Sequence, residues 1–127
     1  MPATVAERNG ILNAFLPGAS HASYAGNASF FMSLHTADPG DTGAGEYTTY
    51  TGTRPGISFT GAASAAASST AQIDYASMGA TTITHVGFWT ATTAGVFKGG
   101  AALTAPKTTA ASDTLRFAAA AVVASLA

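Results

Sequence analysis

His35 and Asp38 stand close together in the chain, and His85 joins them if its segment pairs with theirs. A metal site would need two or three such ligands and groups behind them that orient each one. One His and one Asp at this spacing match no ligand pattern. The expectation is a structural His35, held by a hydrogen bond from a loop. Asp38-Pro39-Gly40 reads as a turn, with the carboxylate accepting from the backbone two residues on. A serine nucleophile would want a His and an acid in reach, usually on a G-x-S-x-G elbow, and no such elbow occurs. The carboxylates Glu7, Asp38, Asp41, Glu46, Asp74 and Asp113 lack the rich polar context that acid–base catalysis uses. Gly95, Gly99 and Gly100 precede no helix and so form no phosphate cradle. With no Cys there is neither a disulfide nor a thiolate ligand. Trp89 beside Phe88 reads as core or interface packing before it reads as a binding platform. No catalytic residue, metal site or cofactor is expected.

Charge is scarce in general. Only 9% of the 127 residues are Asp, Glu, Lys or Arg, against about 25% in an ordinary soluble domain. Apolar residues reach 47%, much of it alanine, and Gly, Ser and Thr fill most of the rest. Such a surface is poorly kept apart by charge, so part of it is expected to be buried against partners. The basic residues Arg8, Arg54, Lys98, Lys107 and Arg116 are scattered and the net charge is −1, which argues against nucleic acid. The longest apolar stretch, Phe117 to Ala124, is far short of the roughly 20 residues that span a bilayer. Glu7 and Arg8 interrupt any leader-like run near the N-terminus, so no export by the general route is expected.

The elements that must position these residues are mostly strands. Thr4 and Glu7 form a capping-box pattern that opens a helix over about 4–16, stopped by Pro17-Gly18. Val5, Ile11, Leu12, Phe15 and Leu16 give it an apolar face, while Gly10 weakens its interior, so it needs something to pack against. Ser29 to Thr36 alternates as a strand, with Phe30, Met32 and Leu34 on one face. Ala37 to Gly45 is a turn or long loop. Glu46 to Tyr50 and Ile57 to Thr60 read as short strands. Gly61 to Thr70 reads as a flexible Ala/Ser loop, with a helix as the lesser alternative. Ala71 to Tyr75, Thr82 to Thr90, Val96 to Leu103, Leu115 to Phe117 and Val122 to Leu126 complete the set, Thr82–Thr90 and Val96–Leu103 forming a hairpin. The sum is one domain over 1–127: a mainly β, antiparallel β-sandwich of roughly seven or eight short strands with one N-terminal helix. Phe30, Met32, Leu34, Val86, Phe88 and Leu115 are expected to face inward.

Four blocks carry a resemblance. FMSLHTADPG at Phe31–Gly40 resembles the strand-and-loop signature of a family of small tailed-bacteriophage virion proteins, variously described as minor capsid, decoration or tail fibre proteins. TITHVGFWT at Thr82–Thr90, KGGAALTAPK at Lys98–Lys107 and ASDTLRFAAAA at Ala111–Ala121 are similar to further blocks of that family, in the same order. The resemblance implies a virion component and implies no catalytic residues.

Together these readings point to a non-enzymatic phage virion structural protein located in the virion. The first-ranked role is a capsid decoration or cement protein that stabilises the head by burying surface across neighbouring shell subunits. A tail fibre, tail-tip or baseplate component is the alternative. A receptor- or glycan-binding module, with Trp89, Tyr47 and Tyr50 stacking on sugar, is the alternative of another class. Expected partners are the major capsid protein or other virion proteins and further copies of the chain, with a trimer favoured. The candidate interface residues are Asp38, Pro39, Asp41, Glu46, Tyr47, Tyr50 and Arg54. The Ala37–Gly45 loop, the Ala/Ser segment after Gly61 and the N-terminal helix are the elements expected to make contacts.

Overall fold

Apolar residues at alternate positions of several short segments can only be covered if two sheet faces meet, and that is the arrangement found. A computed structural model describes residues 3–15, 30–60 and 66–125. Among them are the helix α1 (Val5–Phe15) and nine strands: β1 (Phe30–His35), β2 (Glu46–Tyr47), β3 (Gly56–Ile57), β4 (Ala66–Ser68), β5 (Ile73–Met78), β6 (Thr81–Trp89), β7 (Phe97–Thr109), β8 (Asp113–Phe117) and β9 (Val123–Ser125). Every pairing is antiparallel. The larger sheet runs β2-β1-β6-β7, with β3 on the same side of β1 as β2. The pairs β5–β8 and β4–β9 make up the opposing layer. A backbone bridge from Phe59 to Ser69 ties β3 to β4.

The core lies between the layers. Met32 and Leu34 of β1 face Phe88 and Val86 of β6 across the pair, and Ile73 and Tyr75 of β5 and Leu115 and Phe117 of β8 close over them. The Tyr75 hydroxyl crosses the core to donate to the Met32 carbonyl at 2.6 Å, which satisfies a polar tip that burial would otherwise penalise. Of the six residues expected inward, Met32, Leu34, Val86, Phe88 and Leu115 are buried, and Phe30 is partly buried against the cluster.

Two strands break the period of two. Ile83 and Val86 both enter the core, although in a regular strand residues three apart face opposite ways. The ladder is irregular at this point: between the pairs Ile83–Lys107 and His85–Ala102 the single residue Thr84 of β6 stands against the four residues Leu103–Pro106 of β7. Pro106, which has no N–H to give a ladder, sits in that bulge. On β5, Ser77 at φ 55° plays the same part, turning Met78 inward after Tyr75.

The structure shortens several expected elements and corrects others. Ala66–Ser68 is a strand paired with β9, not a loop or helix, because β9 supplies the backbone partners that the sequence could not reveal. The first five residues of that Ala/Ser segment lie outside the described residues, as do Leu16, Ser29 and Leu126. Among the described residues, helix α1 is held at its first turn. Thr4 Oγ1 accepts from the Glu7 N–H at 3.3 Å, Asp41 accepts from the Val5 N–H at 2.9 Å, and the Glu7 carboxylate pairs with Lys98 at 2.6 Å. Val5 and Leu12 stay about half exposed, so the expected apolar face does not cover the sandwich at these positions. No helix among the described residues is long and apolar enough to cross a membrane.

Candidate functional site

The back of the larger sheet, away from the core, carries the residues that the sequence singled out. Ser33 and His35 of β1 point there and are fully buried. What buries them is the loop 37–45, folded back across the sheet. Pro39 seats against Gly100, where a Cβ would come within 2.8 Å of its Cγ, and the Pro39 carbonyl accepts from the N–H groups of Gly43 and Ala44. Gly43, at φ 77°, lies on the rings of Trp89 and Phe97 so closely that a Cβ would fall 2.5 Å from Trp89. Gly87, opposite Ser33, leaves room for the hydroxyl and the imidazole; a Cβ there would meet them at 2.6 and 2.8 Å.

A single hydrogen-bond chain runs through this layer. Trp89 Nε1 donates to Ser33 Oγ at 2.8 Å, Ser33 Oγ lies 2.7 Å from His35 Nε2, and His35 Nδ1 lies 3.0 Å from the Ala44 carbonyl. The carbonyl can only accept, so Nδ1 carries the proton and Nε2 receives the serine hydroxyl. Burial holds the His35 pKa below its ordinary value, the Ala44 carbonyl opposing in part. His85 stands directly opposite His35 in the strand pair, as the neighbouring-strand expectation required, yet its Nδ1 bonds Thr84 Oγ1 at 2.8 Å. Among the described residues no group of three or more His, Cys, Asp or Glu gathers as a metal would need.

Six of the seven candidate interface residues fall into two groups, and Tyr47 lines neither cleft. Asp38, Pro39 and Asp41 border a cleft of about 410 Å³ between the loop, the start of α1 and the back of β6–β7. Asp38 Oδ1 accepts from the Gly40 N–H at 2.8 Å, the turn the sequence indicated. Glu46, Tyr50 and Arg54 border a smaller, threonine-rich cleft of about 250 Å³ beside Thr92–Ala94. Here Arg54 is buried: it grips Glu46 with Nε and Nη2 at 2.8 and 2.7 Å, donates Nη1 to the carbonyls of Ala91 and Ala94, and stacks 4.0 Å over Trp89. Its guanidinium thus joins β2 to the β6–β7 turn, a planar fork using every face it has. Tyr47 and Tyr50 pack partly buried against the core, and Tyr50 meets Tyr75 edge-on with ring centroids 5.0 Å apart. Burial raises the Tyr50 pKa, with the Glu46 charge adding to the effect.

Sequence reasoning missed Ser33, Phe97, Gly43 and Gly87 as parts of the sealed layer, and Arg8 as a wall of the larger cleft. A serine in an otherwise apolar strand, two positions before a histidine, was the available signal for the first of these. Trp89, the sugar platform of the glycan-binding alternative, has one ring face covered by Arg54 and packs against Phe97 with ring centroids 5.2 Å apart.

What the geometry of the described residues offers is a rigid, loop-sealed scaffold with surface clefts beside it; the serine–histidine pair it holds, Ser33 with His35, is fully buried beneath the loop. No curated protein matches the sequence. The family model described as "Podophage GP4 fiber I protein gp80" matches residues 2–125, nearly the whole chain, and the chain therefore belongs to that phage fibre family.

Proposed function

We propose that this chain is a structural component of a podophage fibre, working without catalysis as a homo-oligomer, a trimer in the favoured case, bound to other virion proteins. The observation that carries the reading is the family match over residues 2–125. It supports the fibre alternative over the head-decoration role that ranked first on the sequence. The charge-poor surface supports permanent burial against neighbours, since 9% charged residues give little electrostatic repulsion between copies. The loop-sealed back face supports a part built for rigidity: its loop, strands and turn are joined by the His35 and Arg54 networks.

The test is location and copy number on purified particles. Gold-labelled antibody should decorate the tail region, and quantitative mass spectrometry should return tens of copies or fewer per particle. Label spread over the head, with copies in proportion to the shell protein, would restore the decoration role and reject the fibre one.

A further inference from the structure

The larger cleft holds an unusual share of the molecule's polar chemistry. Three ion pairs, Glu46–Arg54, Glu7–Lys98 and Asp74–Arg116, use up six of the eleven charged residues. Of the five others, Arg8, Asp38 and Asp41 line this one cleft together with His85, while Lys107 and Asp113 lie outside it. Each is held by a bond that leaves other atoms available. Asp38 and Asp41 each use Oδ1 on a backbone N–H, at Gly40 and Val5, which leaves Oδ2. Arg8 gives Nη1 to the Ala3 carbonyl, and His85 is bonded through Nδ1. The floor is Gly100, Ala101 and Ala102, side chains too small to fill the space. Its 410 Å³ falls within the roughly 300–1,000 Å³ of small-ligand clefts.

We infer that this cleft binds a saccharide: a polyhydroxylated ring whose hydroxyls donate to Asp38 and Asp41 and accept from Arg8 and His85. The chemistry excludes the obvious competitors. Two carboxylates against one guanidinium disfavour phosphate and other polyanions. A floor of glycine and alanine with no aromatic ring gives a nucleobase or flat hydrophobe nothing to stack on. Each hydroxyl of such a ring both donates and accepts, so a polyol matches walls that mix acceptors and donors at close range. The inference is independent of where the protein sits on the particle.

The probe is a set of methyl glycosides (gluco, manno, galacto and rhamno) titrated into isotope-labelled full-length protein, with glycine as a zwitterionic control. At least one glycoside should shift the amide signals of Gly40, Gly100, Ala101 and Ala102 and saturate in the millimolar range, while glycine leaves them unmoved. Asp38→Asn and Asp41→Asn keep an acceptor for Gly40 and Val5, since asparagine caps and turns as aspartate does. Each should therefore stay folded by its spectrum and lose at least tenfold in affinity, as should Arg8→Gln. If no glycoside shifts these signals, or if glycine alone does, the inference is overturned. Binding that all three variants retain would overturn it as well.

Discussion

The Ser33 hydroxyl accepts from the Trp89 indole and gives its own proton to His35 Nε2, so the imidazole has no acceptor left for a second ring proton. Protonating His35 would set an N–H against that hydroxyl inside a fully buried layer. Its folded pKa accordingly lies below the ordinary 6.5, with burial the main cause. The unfolded chain then binds more protons than the folded one below about pH 6.5. Stability from this residue is complete above that value and falls as the pH drops toward the lower folded pKa. Urea denaturation between pH 7.5 and 5 should show wild-type stability falling, and His35→Gln should flatten that slope; equal slopes would mean that another group carries it. Asp74, whose pKa Arg116 lowers, acts at more acid pH, because its ordinary value is 3.8. Arg54 makes the second prediction at this scale. Arg54→Lys keeps the charge but loses the fork, so it should destabilise by about 2–4 kcal/mol, close to the cost of Arg54→Ala. Trp89, the one tryptophan of the chain, reports the change through its fluorescence. Rescue by lysine would show that charge alone matters there.

Elements were legible where one rule decided them. The alternation of Phe30, Met32 and Leu34 placed β1 and its core face, and β-branched and aromatic weight placed β6, because both are long strands with one face on the core. The turn at Asp38–Gly40 was legible from local chemistry alone. What the loop 37–45 covers was not, since its purpose depends on two glycines far along the chain, Gly87 and Gly100, whose missing side chains make room for it. The bulges on β5 and β7 were equally hidden: each depends on a partner strand's register, which periodicity within one strand does not encode. The helix shows the opposite case, where local signals placed the element and its Thr4 cap but overstated its apolar face. Val5 and Leu12, read as part of its apolar face, remain half exposed, and Asp41 and Lys98 hold its first turn to the sandwich. Asp41→Ala should therefore loosen the whole element. We expect a loss of about 1 kcal/mol for the cap, read as faster amide exchange across Val5–Phe15 with β1 and β6 unchanged. Uniformly faster exchange in sheet and helix together would mean that the helix is part of the global folding unit.

At the scale of the molecule the question is what covers the outside. A sandwich leaves edge strands with unpaired N–H and C=O groups, and long exposed edges invite pairing unless they are blocked. The β7 edge is partly managed: Ala3 bridges Gly99 at one end, and Pro106 and the Lys107 ammonium, 5.8 Å over the Phe117 ring, interrupt the other. The surface between is built from Ala, Thr and Gly, whose small side chains lose little entropy when another copy approaches. Association driven by such a surface has a signature. Burial of apolar and hydroxyl groups is little affected by salt, whereas contacts between charges weaken once the screening length falls from about 10 Å at 0.1 M to about 3 Å at 1 M. Sedimentation equilibrium of the isolated protein should thus return an oligomer, a trimer in the favoured case, with the same mass at both salt concentrations. Dissociation at 1 M salt would shift the contacts to the few charged residues, with Asp74, Arg116 and Asp113 the first to substitute because they are exposed. A monomer at both concentrations would mean that the small-residue surface is not self-complementary, and that its partner is another virion protein.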